Sequence, residues 1–289
     1  MSKVSGADMK RRDAYIDRAY EYSEFIRIKA LEMGRQAGKS GAHLGGSFSA
    51  VEIIATLYGA ILNIKHDQPD WEDRDRFIAS KRHCYLALYP ALLKAGMITE
   101  RQLCTYHDNG GLLAGYPWNK ELGLDFSGGS LGMGLSVGIG MALAGKRRKK
   151  MYKTYVLLGD GECNEGAIWE GFMSASKYKL DKLVVIIDYN KMQFDGANQD
   201  IMPIYPLKDK LEAFGWCCCD VNGHSIEELY DIFNKEHKEQ PMMIIANTVK
   251  GYGLPSIENK AESHHAILKD SDYEYMMDAI RRGKYDRIK

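Results

Sequence analysis

Two short oxygen-bearing side chains each follow an apolar run of the sequence. Asp160, which stands between two glycines, follows the run 155–158, and Asn190 follows the run 183–187. If both runs are strands of an open parallel sheet, these side chains meet at its carboxyl edge, where ligands bind in such sheets. Mg²⁺ prefers oxygen ligands and keeps substrate phosphates among them, and glycine lets a backbone approach a phosphate closely. The pattern predicts a metal–diphosphate site, although strand–Gly-Asp-Gly–helix is also the sequence of an ordinary tight turn.

Three histidines stand in short segments that also contain serine and small or charged residues: His43, His83 and His264. An imidazole titrates near neutral pH, so it can donate a proton to a sugar hydroxyl or carbonyl or accept one from it. Taken singly, a histidine is by default a structural residue. The residues alone leave the structural and the catalytic interpretation open.

A longer pattern surrounds the Gly-Asp-Gly turn. Residues 159–196 resemble the thiamin-diphosphate signature in the form found in transketolases: GDG, an E-G pair, a second glutamate one helical turn later, K-L-x-K-L, D-x-N and a D-G turn. Other segments that resemble transketolases are 38–47, 75–83, 128–134 and 250–264. The similarity covers about residues 15–270 and is greatest to the N-terminal subunit of two-gene transketolases. It implies a thiamin-diphosphate-binding fold.

This resemblance implies a set of ligands for the metal and the cofactor. Asp160 and the Asn190 side chain, together with the backbone carbonyl of Met192, would hold Mg²⁺ or Ca²⁺. Asn190 would thereby also take part in cofactor binding. Gly161 would lie against the diphosphate of thiamin diphosphate, and Phe194 would lie near its thiazolium ring.

Four further residues are implied to bind the cofactor or to couple two cofactor sites. The backbone of Gly129 and Leu131 would touch the aminopyrimidine and the diphosphate. Glu165 and Glu170 match a pair of carboxylates that in the family lie near the subunit interface. The alternative is that both glutamates only favour the first turn of a helix through its dipole.

The resemblance gives His43, His83 and His264 catalytic roles. It also places Tyr116 where the family has a histidine that bonds the hydroxyl of the transferred two-carbon unit. A phenol can donate one hydrogen bond, but its pKa of about 10 makes it a poor proton shuttle. We therefore hypothesise an atypical ketose or α-keto donor. Other departures from the family pattern are Arg82, Met133 and His265.

The elements that must position these residues alternate between helix and strand. The patterns predict strands at 153–158, 183–188, 216–220 and 242–248. They predict helices at 11–36, 48–63, 84–95, 98–106, about 131–147, 165–178, 206–214, 225–237 and after residue 270. Ser49 and Glu52 form a capping-box pattern at the start of the second helix, and the polar segment 249–270 is expected to be an active-site loop. The alternation predicts an α/β fold with a parallel sheet and helices on both faces. We expect one domain over residues 1–289, with 1–10 and 283–289 peripheral.

Length and composition indicate an enzyme subunit that depends on a partner. The 289 residues, 45% hydrophobic and 27% charged, suit one large domain, whereas a full transketolase also has pyrimidine-binding and C-terminal domains. The resemblance therefore implies a second, pyrimidine-binding subunit, two copies of each chain, and a sugar-phosphate or keto-sugar substrate. The net charge is zero, which argues against nucleic acid or an anionic membrane as a main partner. The N-terminus lacks an apolar signal core and no stretch is long enough to span a bilayer, so we expect a cytoplasmic protein.

Two other classes of protein remain open. The α subunit of a pyruvate-dehydrogenase-type (2-oxo acid dehydrogenase) enzyme also has GDG and a downstream asparagine, but the HLGG and SKRH segments argue against it. A non-catalytic regulatory homologue is the second alternative, and it is motivated by the departures Tyr116, Met133 and Arg82. The intact Asp160 and Asn190 argue against decay of the metal site.

Overall fold

A five-stranded parallel sheet forms the centre of the fold in the computed structural model, which describes residues 6–106, 108, 111, 113, 122–126 and 130–282. The strands are β1 Arg76–Ala79, β2 Thr154–Gly159, β3 Leu183–Tyr189, β4 Cys217–Asn222 and β5 Met242–Asn247. They lie in the order β1-β2-β3-β5-β4, and neighbouring strands run parallel. The predicted α/β fold with a parallel sheet is confirmed.

Helices cover both faces of this sheet. They are α1 Gly6–Ala37, α2 Leu44–Phe48, α3 Val51–Thr56, α4 Tyr85–Lys94, α5 Glu100–Leu103, α6 Met133–Arg147, α7 Gly166–Lys177, α8 Asn198–Ile201, α9 Leu207–Ala213, α10 Ile226–Phe233 and α11 Asp270–Arg281. Along β2, Tyr155 and Leu157 face one apolar core while Val156 and Leu158 face the other, as the two-residue repeat of a strand requires. Helices α1, α3, α4, α10 and α11 contribute to the first core, and α6, α7 and α9 contribute to the second.

The longest helix, α1, has 32 residues. It packs against α3 and α4, and Tyr22, Ile26 and Ala30 point into the first core. Within the part of the chain that the structure describes, no helix combines the length and the apolar character needed to cross a membrane.

Strand β1 differs from the predicted elements. Apolar periodicity predicts no strand at 76–79, yet this segment pairs with β2 at the edge of the sheet. It has only four residues, and Asp75 and Arg76 stand at its start, so it lacks the apolar run that identifies longer strands. Its position brings the following segment 80–83 to the carboxyl edge of the sheet, where the other strands end.

The predicted regular helix 48–63 is wrong. The structure divides it into the end of α2, α3 and a π-helical turn. Ser49 is not an N-cap, because its hydroxyl donates a hydrogen bond to Asp188 Oδ2 at 2.5 Å. Glu52 bonds His224 Nδ1 at 2.8 Å. Both Ser49 and Glu52 are buried, so partners that are distant in the sequence replace the local capping bonds.

Candidate active site

A cavity of about 280 Å³ lies at the carboxyl ends of β1, β2 and β3. The loop that follows each of these strands lines it, because parallel strands all end on one side of the sheet. Further walls come from the segment before α2, the segment before α6 and the loop after β5. The predicted site residues that line the cavity are His43, His83, Leu131, Asp160, Gly161, Asn190, Met192, Phe194 and His264.

Asp160 and Asn190 follow neighbouring strands, since β2 and β3 are paired in parallel along their length. Asp160 Oδ1 accepts a hydrogen bond from Gly161 N–H at 2.8 Å. Asn190 Oδ1 accepts one from Met192 N–H at 3.1 Å. The structure therefore brings the predicted metal ligands to one cavity, and their role as ligands stays a prediction.

The electrostatics at this end of the cavity fit a divalent cation. Burial raises the pKa of Asp160, and the neighbouring Asp188 raises it further, to about 7. Asp160 is only 2% exposed, and its carboxylate accepts hydrogen bonds from the backbone N–H groups of Gly161 and Lys191. A cation here would compensate a charge that burial disfavours. Across the described residues, no group of three His, Cys, Asp or Glu side chains could hold a metal. Mg²⁺ is usually held by only one or two protein carboxylates together with water and phosphate oxygens, so the single carboxylate of Asp160 is compatible with it.

Two buried lysines face the same cavity, although the sequence patterns assign them no role. Lys250 is 2% exposed, and its ammonium group donates a hydrogen bond to the Gln193 carbonyl at 2.9 Å. Burial lowers the pKa of Lys250, and the charge of Lys81 lowers it further, to about 8. Lys81 itself is paired with the buried Asp188. An anion such as diphosphate would stabilise the charged form of Lys250, and the KGYG segment in a predicted active-site loop is the signal that could have identified this residue.

The three predicted histidines lie together. Their ring centroids are 6.0 Å apart for His43 and His83, 5.4 Å for His43 and His264, and 4.8 Å for His83 and His264. Burial and the charge of Lys81 hold the pKa of His83 well below its ordinary value. Burial and the charge of Lys250 lower the pKa of His264 to about 4. Both rings are therefore neutral near pH 7, and each offers one hydrogen-bond donor and one acceptor to a hydroxyl or carbonyl.

The glycines of the HLGG segment let His83 reach this cluster. Gly46 packs so closely against the His83 ring that a Cβ at this position would overlap it. At the rim of the cavity, the exposed ring of Phe194 packs edge-on against His264, with centroids 5.1 Å apart. His265, a departure from the family pattern, adds a further ring 4.8 Å from His43. An exposed aromatic ring and the imidazoles of His43, His83 and His264 thus line one opening.

Four predicted residues are not placed in the cavity. Tyr116 and Gly129 lie outside the described residues. Glu165 is the N-cap residue of α7 with an exposed side chain, and Glu170 is exposed as well. The first turn of α7 contains no acidic residue, so the explanation from the helix dipole is wrong for Glu170. The proposed interface role of the two glutamates stays a prediction.

Glu162 is a buried residue of the site that the sequence patterns do not predict. Its Oε1 accepts hydrogen bonds from Gly132 N–H at 2.8 Å and from the Ser80 hydroxyl, and its Oε2 accepts one from Gly159 N–H at 3.2 Å. Burial raises its pKa. Because these partners follow β1, precede α6 and end β2, Glu162 connects three walls of the cavity. An acidic residue directly after GDG is the signal that could have identified it.

Comparison with known proteins agrees with this geometry. Residues 20–282 match the family described as the transketolase thiamine diphosphate binding domain. An apulose-4-phosphate transketolase subunit of Phocaeicola vulgatus is 39% identical over 254 residues, which cover 87% of this chain and 90% of that protein. The 6-deoxy-6-sulfo-D-fructose transketolase subunit SqwG of a Clostridium species is 40% identical, with 85% and 90% covered. Human transketolase is 39% identical over 258 residues, but only 41% of its length is covered.

Solved structures agree as to the fold. Transketolase from Campylobacter jejuni superposes with a TM-score of 0.83 at 24% identity, over 95% of this chain and 43% of the other. Transketolase from Leishmania mexicana gives 0.83 at 25% identity, over 94% and 42%. The fold and the cavity define a thiamine-diphosphate-binding α/β domain. The chain belongs to the transketolase family and corresponds to the N-terminal, thiamine-diphosphate-binding part of a transketolase. It spans 90% of each of two relatives that are named as transketolase subunits.

Proposed function

We propose that this chain is the diphosphate- and metal-binding subunit of a transketolase-like transferase. The reaction moves a two-carbon ketol unit, or a related acyl unit, from a ketose or α-keto donor to an aldehyde acceptor. The observation that carries the proposal is the convergence of Asp160, Asn190 and the histidines 43, 83 and 264 on one cavity at the carboxyl edge of the sheet. Membership of the family supports the same reaction class.

The residues divide into a metal end and a substrate end. Asp160, Asn190 and the Met192 carbonyl would hold Mg²⁺ or Ca²⁺, while Gly161 and Lys250 face the diphosphate. When bound, thiamin diphosphate supplies the chemistry that breaks and forms a carbon–carbon bond beside a carbonyl. The three histidines bind and orient the hydroxyl and carbonyl groups of the substrate. The neutral rings of His83 and His264 can accept a proton from one oxygen and return it to another.

A partner protein completes this proposal. Three relatives that the chain covers to 90% or more of their length are named as transketolase subunits, whereas the chain covers 41% of human transketolase. We propose that a separate pyrimidine-binding subunit supplies the remainder of the site, and that the assembly holds two copies of each chain in the cytoplasm. Its substrate would be a sugar phosphate or a keto sugar.

Calorimetry on the purified pair of subunits tests the proposal. We expect thiamin diphosphate to bind in the presence of Mg²⁺ or Ca²⁺ and to lose nearly all affinity in EDTA, because the diphosphate charge then faces the Asp160 carboxylate without a cation. Metal-independent binding or no binding at all would favour the regulatory homologue. Decarboxylation of pyruvate with transfer of the acyl group to lipoyl groups would instead favour the 2-oxo acid dehydrogenase class.

The donor is the finer part of the proposal. Tyr116 supports an atypical ketose, and two relatives are named for apulose 4-phosphate and 6-deoxy-6-sulfo-D-fructose. We expect the assembled enzyme to turn over xylulose 5-phosphate about tenfold or more slowly than a branched or substituted ketose, since a phenol, with an ordinary pKa of about 10, is a poor proton shuttle compared with an imidazole. Tyr116→His should raise the xylulose 5-phosphate rate. Turnover of xylulose 5-phosphate by the unaltered enzyme at an ordinary transketolase rate would remove the hypothesis.

A further inference from the structure

A short loop after β5 holds Lys250 in the cavity. Its backbone is tied to two other segments, because Gly251 N–H donates to Gly45 O at 2.9 Å and Asn259 N–H donates to Lys250 O at 2.7 Å. Burial of an ammonium group is unfavourable without compensation, so a loosely held loop would turn Lys250 out into water. The contacts that anchor this loop therefore decide where the ammonium group stands.

His224, in the turn between β4 and α10, contacts this loop in two ways. Its Nε2 accepts a hydrogen bond from Val249 N–H at 2.9 Å, and its ring stacks on Tyr252 with centroids 3.7 Å apart and an angle of 20°. The side chain is only 9% exposed. Because Nε2 accepts, Nδ1 carries the proton, and Nδ1 donates to Glu52 Oε2 at 2.8 Å. The two ring nitrogens thus link the loop to α3.

Glu52 fixes this tautomer of His224. Burial raises the pKa of Glu52, but Arg27 and His224 outweigh it and lower the pKa to about 2, so the carboxylate is ionised. The guanidinium group of Arg27 bonds Glu52 on one side and donates to Tyr252 O at 3.3 Å on the other. The Ser23 hydroxyl also donates to Glu52 Oε1, at 3.2 Å. A buried ionised carboxylate with these partners cannot turn away without leaving charge unpaired. The orientation of the imidazole is therefore set from α1 and α3.

We propose that His224 is a positioning residue for the diphosphate site, which it serves by holding the 249–252 loop so that the Lys250 ammonium group stays in the cavity. This inference rests on the proposed function of the chain. His224 does not line the cavity, so its effect on anion binding passes through the Val249 bond and the Tyr252 stack. The Glu52–His224–Val249 relay connects the core of the fold to one charge of the site.

A matched pair of variants distinguishes the hydrogen bond made by His224 Nδ1 from the one made by His224 Nε2. In His224→Asn, the amide nitrogen takes the place of Nδ1 and keeps the bond to Glu52, but the side chain is too short to reach Val249. In His224→Gln, the amide oxygen takes the place of Nε2 and can still accept from Val249 N–H. Both changes remove the ring that stacks on Tyr252, so any difference between them reports on the Val249 bond.

The probes are inorganic pyrophosphate with Mg²⁺, measured by calorimetry on the full chain, and amide hydrogen exchange in 249–252. We expect His224→Asn to weaken Mg²⁺-dependent pyrophosphate binding about tenfold and to speed exchange in this loop by a similar factor, because the partly buried Val249 N–H loses its acceptor. His224→Gln should show a clearly smaller loss in both measurements. Equal losses in the two variants, or wild-type behaviour of His224→Asn, would overturn the inference.

A second measurement repeats the His224→Asn comparison in a chain that also carries Lys250→Met. If His224 acts through Lys250, His224→Asn should weaken pyrophosphate binding little or no further once the ammonium group is gone, whereas independent effects would add. An unrelated loss of folding would lower affinity in both backgrounds and would count against the inference. Failure of the wild-type chain to bind pyrophosphate with Mg²⁺ would count against the proposed function instead, and hydrogen exchange at Val249 would still test the relay.

Discussion

Replacement of Asp160 with asparagine is expected to abolish Mg²⁺-dependent binding of thiamin diphosphate and, at the same time, to stabilise the metal-free chain above neutral pH. Asn at this position keeps the shape of the side chain but removes the only formal charge in the proposed ligand set of Asp160, Asn190 and the Met192 carbonyl. Loss of an outer partner of a ligand commonly weakens metal binding by about 10- to 100-fold, and loss of the charged ligand itself should exceed that range. Calorimetry on the pair of subunits measures this loss directly.

The stability change follows from the raised pKa of Asp160. The folded state raises this pKa from 3.8 to about 7, so the carboxyl group is neutral at low pH and increasingly destabilises the metal-free fold as pH rises from about 4 to about 7. The full destabilisation is on the order of 4 kcal/mol above pH 7. Asn gives up one acceptor for a backbone N–H group, which offsets about 1–3 kcal/mol of the gain.

Urea unfolding in EDTA at pH 5 and pH 8 measures how the difference in stability between Asp160→Asn and wild type changes with pH. Asp160→Asn should be close to wild type at pH 5, where less than about half of the destabilisation has developed and the lost hydrogen-bond acceptor offsets it. It should be more stable than wild type at pH 8, where the full destabilisation of the wild-type chain is present. Asp160→Ala serves as the control for shape, because it removes the charge but also leaves a void. An Asn variant that binds Mg²⁺ and thiamin diphosphate normally, or that is less stable at pH 8 than at pH 5 relative to wild type, would contradict the ligand assignment.

The meeting of Asp160 and Asn190 in one cavity could be predicted from sequence, because it requires only that the two strands before them are neighbours in a parallel sheet. The residues that follow two neighbouring parallel strands lie at the same edge of the sheet. The apolar runs before Asp160 and Asn190 were therefore enough to predict that these two side chains meet. The helices and strands with long periodic patterns could also be predicted, because each repeats its apolar positions along one packing face. Local pattern and tertiary environment agree at these positions.

The features that the sequence did not predict depend on hydrogen bonds between residues that are distant in the chain. Ser49 begins a capping-box pattern, but in the fold its hydroxyl lies beside Asp188, 139 residues away in the sequence. It donates a hydrogen bond to this buried carboxylate instead of capping the N-terminus of a helix. His224 and Glu52, 172 residues apart, show no local relationship in the sequence. A single sequence does not show which of its many polar residues will be buried together. The local pattern therefore assigned Ser49 and Glu52 to a helix cap and gave His224 no role.

Lys81 and Asp188 form the buried ion pair beneath the cavity. Their side chains are 1% and 0% exposed. Asp188 also accepts hydrogen bonds from the hydroxyl groups of Ser49, at 2.5 Å, and of Thr248. Burial raises the pKa of Asp188, but the charge of Lys81 and these hydrogen bonds outweigh it and hold the pKa below its ordinary value. The folded state therefore depends on both partners.

Replacement of Lys81 with methionine should lower the free energy of unfolding by about 3–5 kcal/mol at pH 8, because it leaves the Asp188 carboxylate buried without a cation. The depressed pKa of Asp188 contributes stability above its unfolded pKa and loses it as pH falls through the folded pKa. Without Lys81 this contribution disappears, so the variant should approach wild type at low pH. Urea unfolding at pH 8 and at several values below about pH 4, where the ordinary and the lowered pKa of an aspartate lie, makes the comparison.

Two further variants separate the buried charge from a general effect of losing a lysine. The double variant Lys81→Met, Asp188→Asn should recover much of the lost stability, since neither charge remains and the hydroxyl groups keep an acceptor. Lys238→Met, at a lysine whose side chain is 84% exposed, is the control and should change stability by less than about 0.5 kcal/mol. A Lys81→Met chain as stable as the Lys238→Met control would show that the buried pair does not support the fold beneath the site.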